Sequence, residues 1–282
     1  MTLITCHFLS LHSSVSKASF ISALRTLPVS QRPLWLGQTH HWIHEPHLST
    51  KALLGEGAHL IKWDYIFLGS KELPPTVESQ IASRWSITGY SPEGTPSARE
   101  KTRMLLGKSH PKLAAGWTSD DHDGLKTSVA PSGVVFSLGA TSRPMGAVAS
   151  DQGITLKEFT LHWGIQNTGP VVMLNLLSFL PGQRSVYFEG YAGGFTEILE
   201  PLFGGSPIQF GLETSEWSSR AEEAGQESGW EDFALVWYPS LWHFSSMINS
   251  PEYASLDRRF KPSVRDNPLL CCTAIDFDSH SD

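Results

Sequence analysis

The chain has 282 residues, a formal net charge of -7 and 40% hydrophobic residues, which is enough for two ordinary domains or one large one with real cores. The acidic balance argues against a nucleic-acid groove, and no apolar run approaches the twenty residues of a membrane span. The three cysteines, Cys6, Cys271 and Cys272, form no CxxC pair and lie in apolar strand patterns, so buried free thiols in a reducing, cytoplasmic setting are expected.

The N-terminus, MTLITCHFLSLHSSV, lacks a basic leader and a cleavage site and reads as a strand over Leu3 to Leu11. Ser13 or Ser14 can cap a helix whose apolar positions are Val15, Ala18, Ile21 and Leu24. Pro28 and Pro33 end it, and PLWLGQTHHWIHE reads as a second strand. HLIKWDYIFLGS is a third strand, Pro74-Pro75 opens a short helix near Val77 to Ser83, and RWSITGYS closes a β-α-β-β-α-β unit.

The last third repeats this order. Strand VVMLNLLSF (Val171 to Phe179) leads to helix YFEGYAGGFTEILEPLF, a Gly204-Gly205 stop and strand PIQFGLE. Strand WEDFALVWYPS follows, then helix LWHFSSMINSPEYASLDRRF, restarted by Ser250 as cap and Pro251 in the first turn, then strand NPLLCCTAID. CHFLSL matches LNLLSF and WDYIFLGS matches EDFALVWYPS, both at an offset of 168, which sets His7 on Asn175 and Asp64 on Asp232. The expectation is α+β: two tandem ferredoxin-like βαββαβ domains, residues 1–91 and 170–282, packing as an intramolecular α+β barrel.

Residues 92–169 form an insert. It offers a helix at Ser97 to Leu106, a strand-like GVVFSLGA (Gly133 to Ala140) and a capping-box signature, Thr155 with Glu158, before Phe159 and Trp163. A segment this long is expected to hold structure and to lie over one sheet as a lid.

The features MLNLLSF, Tyr187, Tyr191, the GG before the second strand and the YPS…SPEY run resemble the DUF1330 group of the dimeric α+β barrel superfamily over Val171 to Asp276. The resemblance implies ferredoxin-like domains with pockets in or between them. The superfamily includes cofactor-free monooxygenases, decarboxylases and cyclases. Long tandem versions are similar to fungal biosynthetic proteins.

Candidate chemistry lies first on the opening strands. His7 and Asn175 are polar positions on apolar faces, suited to orient a ligand or, alternatively, to bond a neighbouring backbone group. Asp64 and Asp232, beside tryptophans at the start of third strands, are candidates for a desolvated acid or base, with Asp64 preferred. Trp63, Tyr65, His41, Tyr187, Tyr191, Trp237, Trp242, Tyr253 and His243 can wall a pocket for a bulky apolar molecule, closed by Trp163 and His162.

His40, His41 and His44 do not converge on an extended strand, and Ser119 to Gly124 reads as a solvated acidic turn, so no metal and no cofactor are expected. No GxGxxG, P-loop, GxSxG or HExxH is present. The reading is a cofactor-free cyclase or isomerase of secondary metabolism acting on a terpenoid or polyketide, with a Diels–Alder closure fitting the absence of a catalytic triad. The alternatives are a cofactor-independent monooxygenase and a non-catalytic binder. The partner is a hydrophobic small molecule, with no nucleic acid or membrane, and the chain is a pseudo-dimeric monomer or a homodimer.

Overall fold

The computed structural model describes residues 1–56, 59–129, 134, 136–145, 153–212 and 229–277. The strands are β1 (Thr2–Leu11), β2 (Trp35–His44), β3 (Gly55–Glu56), β4 (His59–Leu60), β5 (Tyr65–Gly69), β6 (Ile81–Ser91), β7 (Thr141–Pro144), β8 (Ile154–Thr155), β9 (Val171–Phe179), β10 (Ser206–Gly211), β11 (Asp232–Tyr238), β12 (Val264–Asp266) and β13 (Leu269–Ala274). Eight of them hydrogen-bond side by side in the order β10-β11-β9-β13-β2-β5-β1-β6.

That order contains the ferredoxin-like arrangement twice. Numbering strands within each unit, β2-β5-β1-β6 reads 2-3-1-4, and β10-β11-β9-β13 reads the same. All pairings along the path are antiparallel. The units join where β13 pairs with β2, Leu269 opposite His44. At the other end Tyr90 and Leu212 exchange two backbone bonds of 2.9 Å. Gly89 permits this approach, since a Cβ there would sit 2.6 Å from the Gly211 carbonyl carbon. Joining both ends, the second by a single bridge pair, nearly closes an antiparallel barrel within one chain.

Strand alternation sends one set of side chains inward from every strand. Phe8, Trp35, Trp42, Trp63, Trp85, Trp230, Phe233 and Trp237 pack there with Ile, Leu and Val to form one core. Phe8 anchors it, its ring 5.2 Å from Trp85 and 5.7 Å from Trp63. The inside of the barrel is therefore core.

Outside the barrel each sheet half carries its own helices. In the N-terminal unit, helix Lys17–Thr26 is capped by Ser16, whose hydroxyl accepts the Ser19 amide at 3.0 Å, so the cap lies two to three residues past the expected serines. The crossing to β6 is only a short helix, Pro75–Glu78. Under both, Leu9, Phe20, Leu24, Tyr65, Phe67 and Val77 close the space.

The C-terminal unit is roomier. Its first connection runs through Arg184–Val186, two π-helical stretches (Tyr187–Ala192 and Phe195–Leu199) and Glu200–Phe203. Gly190 and Gly194 let neighbouring side chains reach this backbone: a Cβ would meet the Phe260 ring at 1.9 Å and Leu256 at 2.5 Å. Helices Leu241–Ile248 and Pro251–Phe260 follow β11. Ser250 accepts the Tyr253 amide at 3.0 Å and Pro251 occupies the first turn, the expected restart.

Among its described residues the insert contributes three helices: Ala98–Leu106 and Leu156–Gln166, each opened by a complete capping box, and Asp123–Thr127. Leu156–Gln166 lies against Leu241–Ile248, with Thr160 Oγ1 2.7 Å from Ser245 Oγ and Trp242 Nε1 donating to the Gly164 carbonyl at 3.0 Å. The expected strand Gly133 to Ala140 is not a strand over its described residues, where Phe136 and Leu138 instead turn into the core. Gly133 and Val135 lie outside the described residues. Among the described residues no helix is long and apolar enough to cross a membrane.

The repeat is real in the fold but slips by one residue in the third strands. His7 pairs with Phe67 and Asn175 with Ala234. The structural offset there is 234 − 67 = 167, against the 168 read from the sequence. Asp232 is thus the counterpart of Tyr65, and Asp64 and Asp232 are not equivalent.

Candidate functional site

The pocket lies between the outer face of the C-terminal sheet and its helices. Met173, Asn175 and Leu177 of β9 and Ala234, Val236 and Tyr238 of β11 form its floor. Tyr187, Tyr191 and Phe195 from the π-helical stretches form one wall, and Phe244, Met247 and Tyr253 another. It encloses about 780 Å³ of free space, open solvent at its mouth included. A π-helical turn widens the spacing of side chains along a helix and recurs at functional sites; here two such stretches line the pocket.

One cation enters this apolar space. Lys261 follows helix Pro251–Phe260 and is buried. Its Nζ lies 4.5 Å from the ring centre of Phe136, 5.0 Å from Tyr191 and 5.9 Å from Tyr187. It donates to Asn267 Oδ1. Asn267 Nδ2 in turn donates to the Leu176 carbonyl at 3.0 Å and to Asn175 Oδ1 at 3.4 Å, and Asn175 Nδ2 donates to the Met173 carbonyl at 3.2 Å. A polar line therefore runs from the floor of the pocket to the amine. Burial lowers the Lys261 pKa to about 8, partly opposed by the Asp257 carboxylate. The aromatic faces favour the ammonium form.

A second polar line flanks it. Tyr253 donates its hydroxyl to Asp257 Oδ1 at 3.0 Å and hydrogen-bonds Tyr191. Burial raises the phenol pKa of Tyr187, Tyr191, Tyr238 and Tyr253 well above the ordinary value. These phenols stay neutral at physiological pH; Tyr253 gives its proton to Asp257 and Tyr238 to the Met247 sulfur, which leaves Tyr187 and Tyr191 as donors to a ligand.

Of the residues singled out from the sequence, Asn175, Tyr187, Tyr191 and Tyr253 line this pocket. The others lie elsewhere. Both ring nitrogens of His7 are engaged, Nδ1 with Ser86 Oγ at 2.7 Å and Nε2 with the Ser70 carbonyl at 2.8 Å, and burial lowers its pKa to about 4. Asp64 accepts the Leu11 amide at 2.9 Å, pinning a strand end. Asp232 is buried against Arg184 in a two-point ion pair of 2.7 and 3.0 Å, which ties β11 to the start of the helical wall.

Trp63 and Trp237 point into the barrel, where Trp63 donates to the Leu53 carbonyl at 2.7 Å. Tyr65 stacks on Phe20 at 4.9 Å beneath the N-terminal helix. His41 stacks on Phe159 at 4.0 Å, Trp163 packs on the same ring at 5.2 Å, and burial lowers His41 to about 3. Trp242 holds the insert helix, and His243 bonds Ser240 at 2.8 Å and the Pro111 carbonyl at 3.0 Å. These aromatics are far from idle, but they fasten elements rather than face the pocket.

Sequence reasoning missed Lys261, Asn267, Asp257 and Phe136. The one signal for Lys261 is a lysine directly after a helix end and before a proline, a context that also fits simple pairing with the helix dipole.

No protein-family model matches the sequence, and a search of curated proteins finds no relative. Among solved structures, a protein of unknown function from Rhodopseudomonas palustris is similar at 21% identity over 41% of this chain and 90% of that one, TM-score 0.32. Its methylated form gives 22% over 38% and 82%, TM-score 0.31. A candidate monooxygenase from Lactobacillus acidophilus NCFM is 7% identical over 96% of this chain and 93% of that one, TM-score 0.44. Scores this low carry no argument about chemistry; the α+β barrel is read from the chain's own strand order.

Proposed function

We propose that the chain is an enzyme that cyclises or isomerises a bulky apolar molecule bearing a carbonyl or phenolic oxygen, and that the reaction takes place in the C-terminal pocket. The observation that carries this reading is the Lys261 ammonium inside an otherwise aromatic cavity, held by Asn267 and Asn175. The aromatic walls fold a flexible substrate into a reactive conformer and reduce the entropy cost of closure. Lys261 donates to the substrate oxygen as negative charge builds there, and a donor in a water-poor pocket is worth far more than one in solvent. A pericyclic closure accelerated by such a hydrogen bond fits, and so does a proton shift using Lys261 near its pKa of about 8. The substrate class in this reading is a terpenoid or polyketide of secondary metabolism, whose apolar surface suits the aromatic lining.

The test compares extracts of producing cells carrying the wild-type chain, Lys261→Met or no chain, in air and under nitrogen, by untargeted mass spectrometry. The expected result is a product lost in both altered strains and replaced by an isomer of equal mass, with or without oxygen. A product heavier by one oxygen and formed only in air would assign a monooxygenase instead. Unchanged extracts would leave a binding protein.

A further inference from the structure

Outside the pocket, three side chains converge at the seam between the two units. His44 ends β2, His47 follows it beyond Pro46, and Asp266 ends β12. One ligand atom from each, two imidazole nitrogens and a carboxylate oxygen, lies within 4.8 Å of the others. His47 Nδ1 is 3.3 Å from Asp266 Oδ1. Two ligands each about 2.0–2.1 Å from a tetrahedral ion stand at about this separation.

The carboxylate is held in place. Asp266 Oδ2 accepts the amides of His47 at 2.7 Å and Leu48 at 2.8 Å, which fixes the carboxylate and leaves Oδ1 toward the histidine. A loop anchor would explain those two bonds alone. It does not explain His44 Nδ1, which is buried and has no hydrogen-bond partner among the described residues. A buried polar atom left in this state is costly, and an ion is one group that would satisfy it. The His47 side chain is 76% exposed, so an ion can reach the cluster from solvent.

We propose that His44, His47 and Asp266 bind one divalent transition-metal ion of the zinc class, with a fourth position open to solvent. Two imidazoles and one carboxylate suit such an ion, whereas calcium and magnesium prefer all-oxygen sets. The two histidines belong to the N-terminal unit and the aspartate to the C-terminal unit, so the ion clamps the β2–β13 seam. Phe136 lies against both sites, its ring edge-on to His44 at 5.1 Å and its centre 4.5 Å from Lys261 Nζ. Metal binding is measured without turnover, so its failure and the failure of the proposed reaction are distinguishable.

The probe is Co²⁺ alone, added to the full chain after dialysis against a chelator. The expected result is one equivalent bound, a visible absorption band of low-coordinate cobalt, displacement by Zn²⁺ and a raised melting temperature. Asp266→Asn keeps an oxygen for the two amides, and His47→Gln alters an exposed side chain. Each should weaken binding by about tenfold or more with an unchanged circular dichroism spectrum. His12→Gln, at an exposed histidine outside the cluster, should bind as the wild type does. No binding overturns the proposal; binding equal in the wild type and His47→Gln identifies an adventitious ion only and overturns it as well.

Discussion

In the N-terminal unit, His7 on β1 stands opposite Phe67 on β5; at the same places in the C-terminal unit, Asn175 on β9 stands opposite Ala234 on β11. The Phe67 ring packs edge-on to His7 at 5.9 Å and fills the space beneath the helices. Ala234 leaves that volume empty, and the pocket occupies it. The polar residue of the first strand changes role accordingly. His7 spends both nitrogens on its own unit, while Asn175 is tied through Asn267 to the pocket amine. A repeated fold does not repeat a site: one ring or one methyl at an equivalent position decides between core and cavity.

The comparison breaks most severely if Ala234→Phe is tolerated by the chemistry. Placing the N-terminal unit's ring in the C-terminal pocket should reduce turnover by about 100-fold or more through lost substrate placement. The melting temperature should hold, because the ring enters open apolar space. Retained turnover would move the reaction elsewhere.

The next effect on activity, of comparable size, concerns Lys261. If the ammonium is the donor, activity is present below its pKa and falls as pH rises through about 8. Lys261→Met should remove that limb and lower kcat by about 10²-fold. Stability gives the opposite slope. Because the folded pKa is depressed, the unfolded chain holds this proton more tightly, so wild-type stability should rise relative to Lys261→Met as pH climbs from about 8 towards the unfolded lysine value. Parallel melting-temperature profiles for the two proteins would refute the buried-amine account.

The least effect on activity is expected in the N-terminal unit. His7→Leu leaves the Ser70 carbonyl and the Ser86 hydroxyl without their partner, at a cost of about 1–3 kcal/mol in denaturant unfolding. The product and the per-folded-molecule rate should not change. A changed product would restore His7 as a site residue.

Most of the element order was legible in the sequence, because apolar period, Ser250-Pro251 and the two capping boxes are local signals. The face of each strand was not. A one-residue slip exchanges inside for outside, and the look-alike Asp64 and Asp232 hid that slip. Trp63 and Trp237 fill the barrel rather than wall the pocket, and an abundance of aromatics does not say which face each one takes. Lys261 was invisible for a different reason. Its burial depends on Phe136 from the insert and on Asn267 beyond the next turn, contacts that no spacing encodes. His44, His47 and Asp266 escaped likewise, since two come from one unit and the third from the other.

The seam between β2 and β13 sets an order on folding. It joins residues 37–44 to residues 269–274, almost the whole chain apart. While the protein is being synthesised, the N-terminal unit can pair β2 with β5, but the outer edge of β2 waits for β13 to leave the ribosome. An unpaired apolar edge held open for that long invites pairing with another chain, and contacts so distant in sequence form slowly. Truncation before Leu269 should accordingly yield an N-terminal unit prone to aggregate.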